Sequence, residues 1–349
     1  MSLEEKFFFS PSSYLRFLSC NQSVALRTVH RDIKVKTPQK ALLGQIAHKV
    51  LEIASESSHK IEQSHWNDWF ETTWKEIESD YFEKYKLTWE PNPVAPITSW
   101  KSYFKTKIAA KGLVGSRIET KFKNSEYAPN VGGDVQVYSE KFLSDENLRL
   151  HGYIDRLIVF PDHALVYDYK FGQSSLDSHE YKIQMGIYSI LTTQNFGVKV
   201  QKASIIAGVG KEHAFNFQDS FLSDLEKDIA RALEVIDSGS SKASPSLKNC
   251  RFCSFKPVCK DFNDSGITAE NDIPLAVKGK VTMVKGLTDQ YVAIALEDNS
   301  QIPAKSYDVS KVPVGHRVEI GDEIHLSGPM QFFSQASLEF KPNTILRRL

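Results

Sequence analysis

The sequence predicts a mixed α/β domain followed by a small all-β segment, and three observations carry that expectation. Between about residues 134 and 170 apolar and β-branched residues alternate, the two-residue period of strands. On both sides of this stretch apolar residues recur at three- and four-residue steps, the period of helices with one buried face. From Val277 onward only short strand patterns remain, with glycines at the turns.

In chain order, residues from about 10 to 55 read as helical, with Ser10, Ser12 and Ser13 as N-cap candidates and apolar residues at helical spacing over Gly44 to Glu52. Trp66, Trp69, Phe70, Trp74, Ile77 and Tyr81 then describe one stripe of an amphipathic helix. Such a stripe is read as a packing face in preference to a base-stacking platform. Three strands fill residues 134 to 170, followed by a helix from about Ser178 to Thr193, a strand near Lys202 to Ala207 and a helix near Ser220 to Ile236. Ser238 to Ser246 reads as a loop leading into a cysteine segment, and Asn263 to Pro274 as a second loop. Beyond it lie strand patterns at Lys278 to Val284, Tyr291 to Leu296, Ile302 to Lys305, Arg317 to Ser327 and Phe332 to Phe340. Five strands in so short a span predict a small closed β-barrel, OB-like, although an SH3-like barrel fits the same pattern. The expected domains are therefore residues 1–265 and 275–349, the second a candidate for single-strand binding.

Bulk properties narrow the function classes. A chain of 349 residues that is 41% hydrophobic can bury one substantial core and a smaller satellite. Lysine plus arginine equals aspartate plus glutamate at 43 each, so a polyanion would be met by local patches and not by a global field. The first residues lack the basic region and length of a secretion signal, and no stretch is long enough to span a bilayer. A cytoplasmic, non-membrane protein is expected, in which thiols stay reduced and grouped cysteines bind metal. No G-x-x-x-x-G-K-[ST] phosphate loop is present, which excludes an ATP motor of that type.

The most informative segment runs from Gly152 to Lys170. Pro161 and Asp162 are good turn residues, and a symmetric hairpin closing there sets Asp155 opposite Asp168. Such a pair shares one face with Cβ atoms about 5 Å apart, and Lys170 projects from the same face. Leu157, Val159, Ala164 and Val166 fill the rest of it. Two aspartates at the end of an apolar face repel each other and are costly to desolvate, and a divalent cation such as Mg2+ or Mn2+ would resolve both problems. An ordinary surface hairpin with an Asp-Lys ion pair would use the same residues. Downstream, Gln184 and Tyr188 stand four residues apart on one helical face, and upstream His48 lies on a helix expected to face the core.

Taken together, G-x-x-x-H at Gly44 to His48, G-x-x-D-R at Gly152 to Arg156, D-x-K at Asp168 to Lys170 and Q-x-x-x-Y at Gln184 to Tyr188 resemble the RecB-like branch of the PD-(D/E)-x-K nuclease superfamily. The resemblance covers roughly residues 10 to 262 and departs from the superfamily's name at Ile154, where a proline would stand. It implies a restriction-endonuclease-like mixed sheet flanked by helices. By the same resemblance His48, Asp155, Asp168 and the Tyr169 carbonyl would be metal ligands. Lys170 would be the catalytic lysine, and Gln184 and Tyr188 would help hold DNA and the site.

Cys250, Cys253 and Cys259 have the tight spacing of metal ligands, and Cys20 lies near the other end of the chain. By count, four thiolates suit zinc or an iron-sulfur cluster, and spacing alone leans to zinc. One cysteine before the histidine motif and three after the nuclease core resembles the iron-sulfur nucleases of the AddB and CRISPR-associated RecB-like groups, which implies a [4Fe-4S] cluster acting as a clamp. Lys248, Arg251, Lys256 and Lys260 around these cysteines form a candidate phosphate-contact patch, or simply solvated lysines. The expected function is a metal-dependent deoxyribonuclease, an exonuclease or end-processing enzyme on single-stranded DNA in repair, recombination or CRISPR-related processing. The alternative is a non-catalytic nucleic-acid-binding subunit working with a separate helicase.

Overall fold

Helix-forming residues open the chain, but local chemistry divides them into three pieces. α1 spans Pro11–Ser19, α2 Asn21–Val29 and α3 Gln39–Glu56. Ser10 Oγ accepts the N–H of Ser13 at 3.2 Å, and Pro11 needs no such partner at the first helical position. Cys20 is extended (φ −161°, ψ 96°), so the single helical region expected over residues 10 to 55 is broken there. The computed structural model describes residues 6–33, 35–56, 61–62, 64–123, 135–171, 178–208, 211–267, 275–299, 304–328, 331–334 and 337–349. The chain forms two compact units, one of residues 1–15, 37–85 and 95–238 and the other of residues 16–36, 86–94 and 239–349.

In α4, Trp66–Trp89, which belongs to the first unit up to Tyr85, Phe70 and Trp74 of the expected stripe are fully buried while Trp66, Trp69, Ile77 and Tyr81 are half-buried. Trp74 Nε1 donates to Glu78 at 2.7 Å, and the hydroxyl of Tyr103, at the start of α5 (Tyr103–Lys123), donates to the same carboxylate oxygen at 2.6 Å. β1 (Gln136–Asp145), β2 (Leu150–Val159) and β3 (His163–Lys170) follow as an antiparallel meander. α6 (His179–Phe196) is capped by Ser178, whose side chain accepts from the Tyr181 N–H, and ends on Gly197 at φ 72°, the left-handed geometry that favours glycine. β4 (Lys199–Ala207) then pairs parallel to β3, as a strand-helix-strand crossover requires. β5 (Lys211–Phe215) completes a five-stranded sheet in the order β1-β2-β3-β4-β5. This edge strand was not expected, because four of its five residues are at least partly exposed and no apolar alternation marks it.

α7 (Asp219–Asp237) packs on α6 through a glycine. A Cβ built on Gly186 would lie 2.8 Å from Leu225 Cδ2 and 3.2 Å from Phe221. Glycine costs helix stability here but admits the neighbouring helix.

In the second unit α8 (Leu247–Cys250) and α9 (Lys260–Ser265) carry the cysteine segment, and β6 (Ala276–Gly286), β7 (Tyr291–Asp298), β8 (Lys305–Pro313), β9 (Glu323–Ser327), β10 (Gln331–Ser334), β11 (Ser337–Glu339) and β12 (Ile345–Arg348) form one sheet. Its order is β10-β11-β8-β7-β6-β9-β12, built on Val277, Val281, Ile294, Leu296, Val309 and Ile324. A barrel closes only when its end strands pair. Here β12 takes the free edge of β9, and the β10–β11 hairpin takes that of β8. Among the described residues nothing joins β10 to β12, so the expected closed OB-like barrel is not shown.

Strand boundaries also differ from the sequence reading. The strand expected at Ile302 to Lys305 falls partly outside the described residues, and the observed one begins only at Lys305. Arg317, expected to open a strand, has φ 51°, a left-handed conformation that ends a turn instead. The stretch expected as one strand from Phe332 to Phe340 holds two, with residues 335–336 outside the description. Likewise the expected loop from Asn263 to Pro274 begins inside α9, and its residues 268–274 lie outside the description.

Replacing Gly186 by valine should overpack the α6–α7 contact and lower unfolding stability by about 1–3 kcal/mol. Urea denaturation would register this as a lower midpoint at unchanged slope, and an unaltered midpoint would refute the close-packing account.

Candidate metal centre

The β2–β3 ladder pairs Leu157 with Val166 and Val159 with Ala164, the register that a turn at Pro161 and Asp162 dictates. Asp155 and Asp168 stand one step beyond its last rung, Arg156 with Tyr167. There a side chain takes over from the backbone: Asp155 Oδ2 accepts the N–H of Tyr169 at 2.5 Å. On the other flank Ser139 pairs with Arg156 and Lys141 with Ile154, which sets Glu140 across from Asp155. Three acidic residues thus lie in one row across β1, β2 and β3. Glu140 occupies a left-handed conformation (φ 47°), a strain of about 1–3 kcal/mol for a residue with a Cβ.

His48 enters from α3. Its Nδ1 lies 3.3 Å from Glu140 Oε1 and 3.4 Å from Asp155 Oδ1, and its ring meets Phe171 edge-on. His48, Glu140 and Asp155 offer ligand atoms that all lie within 4.8 Å of one another. Asp168 is adjacent but outside that group. Its Oδ1 accepts from Gln184 Nε2 at 2.8 Å, and its Oδ2 lies 2.7 Å from Lys170 Nζ. That second contact is an ion pair without hydrogen-bond geometry, leaving a buried oxygen with no hydrogen bond. Gln184 also donates to the Tyr188 hydroxyl at 3.3 Å, so the two α6 residues act as one bonded unit. Gly152 makes room for them, since a Cβ there would sit 3.1 Å from the Tyr188 ring.

The structure therefore gathers His48, Asp155, Asp168, Lys170, Gln184 and Tyr188 in one place, with Tyr169 contributing its N–H. Glu140 was missed by the sequence reading. The signal lay in the turn at Glu146 to Arg149, because a hairpin counted about that turn sets Glu140 against Asp155.

Burial shapes the charges. It pushes Asp155 up to about 7, reinforced by Asp168 and Glu140 and opposed by His48 and Lys170. Burial alone would discharge His48, but Asp155 and Glu140 outweigh it and raise the imidazole to about 9. Burial likewise opposes the charge of Lys170, yet Asp168 and Asp155 hold it above the usual lysine value. The Tyr188 phenol is driven well above its ordinary value by burial and then by the same aspartates, so it stays neutral. One imidazole, several carboxylate oxygens and a buried acceptor lacking a hydrogen bond fit a hard, oxygen-seeking divalent cation.

The four thiols lie in the second unit. Cys20 precedes α2, Cys250 ends α8, and Cys259 precedes α9. With Cys253, Lys256 and Phe262 they line a pocket of about 320 Å3, its open mouth included. The Ser244 N–H approaches Cys20 Sγ at 3.5 Å, and Asn249 Nδ2 bonds the Ser19 carbonyl at 2.8 Å, tying the two sequence-distant stretches together. Burial raises the Cys253 and Cys259 thiols above their usual value. Lys256 is no phosphate contact. It is 2% exposed and donates to the carbonyls of Cys250 and Arg251 at 3.0 Å each, because the Phe255–Val258 turn directs it inward. Of that suggested patch, Lys248, Arg251 and Lys260 remain exposed.

A cation entering the first centre must displace the protons that Asp155 and His48 hold below about pH 7 and 9. Divalent-metal affinity, followed by titration calorimetry, should therefore rise about tenfold or more from pH 6 to pH 8. An affinity independent of pH would contradict this protonation state.

Comparison with known proteins agrees with the geometry at the level of family. The family model described as the PD-(D/E)XK nuclease superfamily matches residues 8–260. No curated protein matches in sequence. Among solved structures, a Eubacterium rectale protein named "Putative exonuclease" is 14% identical, with 75% of this chain and 90% of that chain covered at a TM-score of 0.39. A protein named SSO0001 is 17% identical over 44% of this chain and 75% of its own, at a TM-score of 0.24. At these TM-scores neither superposition bears on activity. The family match spans most of the chain and takes in the whole acidic row, its histidine and its lysine, and on that ground the chain belongs to the PD-(D/E)XK nuclease superfamily.

Proposed function

We propose that this nuclease is a Mg2+- or Mn2+-dependent deoxyribonuclease that trims or processes single-stranded DNA ends, with residues 1–265 as its catalytic domain. The observation that carries this reading is the row Glu140, Asp155 and Asp168, met by His48 on one side and Lys170 on the other. A divalent cation held by His48, Asp155, Asp168 and the Tyr169 carbonyl, with Glu140 in reach, would polarise the phosphodiester and lower the pKa of an attacking water. Lys170 would place its ammonium against the charge that develops on the phosphate. Gln184 fixes Asp168 by its hydrogen bond, and Tyr188 in turn accepts from Gln184. The strands of residues 275–349 would hold the departing single strand, and a separate helicase would supply it. Repair, recombination or CRISPR-related processing in the cytoplasm is the setting we favour. Among the described residues, no helix is long and apolar enough to cross a membrane.

The same proposal gives the four thiols a [4Fe-4S] cluster. A zinc ion bound at about 2.3 Å would draw four sulfurs to about 3.8 Å from one another. Among the described residues no trio of thiols lies within 4.8 Å of one another, so thiol spacing selects neither metal, and the [4Fe-4S] cluster rests on the order of the cysteines along the chain. Bound there, it would link Cys20 to the segment from Cys250 to Cys259 across more than two hundred residues of intervening chain, which couples assembly to folding.

Asp168→Ala and Lys170→Ala should each cut the rate on end-labelled single strands by about a thousandfold or more with either metal, while the thiol-bound metal stays in place. Full activity in either variant would sink the assignment, and a wild-type chain that binds single strands without ever cutting them would replace it with a binding role. Anaerobic purification should yield brown protein with iron and acid-labile sulfide. Colourless protein carrying stoichiometric zinc would remove the cluster from the proposal and leave the nuclease assignment intact.

A further inference from the structure

Lys256 poses an electrostatic problem. Its ammonium is buried, and its two described hydrogen bonds go to neutral carbonyls, of Cys250 and Arg251. Among the described residues no carboxylate forms an ion pair with it. Among the described residues of the neighbouring sheet, His325 on β9, which is 1% exposed, comes under the charge of Lys256, and Lys278 and Arg347 stand beside that histidine in the strand pairing. A buried cation without a counter-charge is strongly destabilising. Among the described residues that line its pocket, the groups able to become anionic are the four thiols.

From this we infer that Lys256 is the built-in counter-cation of a metal-thiolate centre at Cys20, Cys250, Cys253 and Cys259, a positioning residue that sets how readily the centre takes up an electron and how tightly it holds its metal. Four thiolates carry more negative charge than the metal they bind, for zinc or for an oxidised [4Fe-4S] core alike. An ammonium fixed beside them offsets the excess. Its hydrogen bonds also brace the Cys250–Cys253 turn, so charge and brace must be separated by experiment. The inference rests on the thiols binding metal, and for its redox arm on the cluster reading.

The test compares the full-length holoprotein with Lys256→Arg, Lys256→Gln and Lys256→Met. Iron, zinc and sulfide are first counted in the wild type, because a wild type that binds no metal at the thiols refutes the metal reading itself, which is a different failure. Gln keeps a donor for the carbonyls but loses the charge, whereas Arg keeps both. With a cluster present, Gln and Met should favour the oxidised form about tenfold at a fixed redox poise, about 59 mV for a one-electron couple, and Arg should stay near the wild type. Loss of metal to a chelator should be about tenfold faster in Gln and Met, a readout that serves for zinc as well. Wild-type potential and chelator rate in Lys256→Gln would overturn the inference in favour of a hydrogen-bonding brace. If the neutral variants fail to fold while Arg folds, the charge requirement stands. If Arg fails as well, the pocket needs lysine's shape and the inference falls.

Discussion

The first unit depends on keeping Asp155 and Asp168 side by side in a place with little water. Asp155 has a side-chain exposure of 10% and Asp168 of 3%, so their mutual repulsion is weakly screened. Each is steadied by a different partner. Asp155 leans on His48 and the Tyr169 N–H, while Asp168 leans on Lys170 and Gln184. The surrounding architecture follows from that need: α3 must deliver an imidazole, α6 an amide, and β1 must yield a strained residue at Glu140. Strain stored at one position of an otherwise regular pairing is consistent with a constraint imposed by the site and not by the sheet.

The same balance explains why the centre holds protons. Burial first, and then the neighbouring acids, raise the hold of Asp155 on its proton, while Asp155 and Glu140 together outweigh burial at His48. A divalent metal would compete with those protons for the same oxygens. Gly152 and Gly186 serve this arrangement indirectly. The first lets Tyr188 approach the β2 strand, and the second lets α7 close over α6, so the helix that carries Gln184 is held between sheet and neighbour.

In the second unit a comparable logic runs with the signs reversed. A lysine is buried among thiols, which by the inference above would supply the anion by losing their protons, whereas in the first unit acids are buried and the cation would arrive from outside. The sheet beside the thiols is ordered by its own apolar core, with Val277 through Leu338 contributing to one cluster. The two metal readings therefore rest on independent chemistry.

Local information was enough for the hairpin. Pro161 and Asp162 mark a turn, and the two-residue period of strands carries Asp155 to Asp168 without reference to anything remote. The capped helix after Ser178 and the packing of Phe70 and Trp74 on α4 were legible for the same reason, since each depends on spacing along one segment. Glu140 could be counted opposite Asp155 about the turn at Glu146 to Arg149, but its meeting with His48 could not, because that contact depends on a helix far upstream in the chain. Nor was the inward turn of Lys256 legible, since its charge reads in sequence as one more surface lysine. Barrel closure failed for a related reason: strand count is a local property, whereas which edges meet is settled by the packing of β9 against both β6 and β12. The sequence alone determined which residue types could meet across a strand pair or along a helix face. Tertiary structure decided which of them are sealed from water, and burial is what turns an ordinary aspartate, histidine or lysine into part of a site.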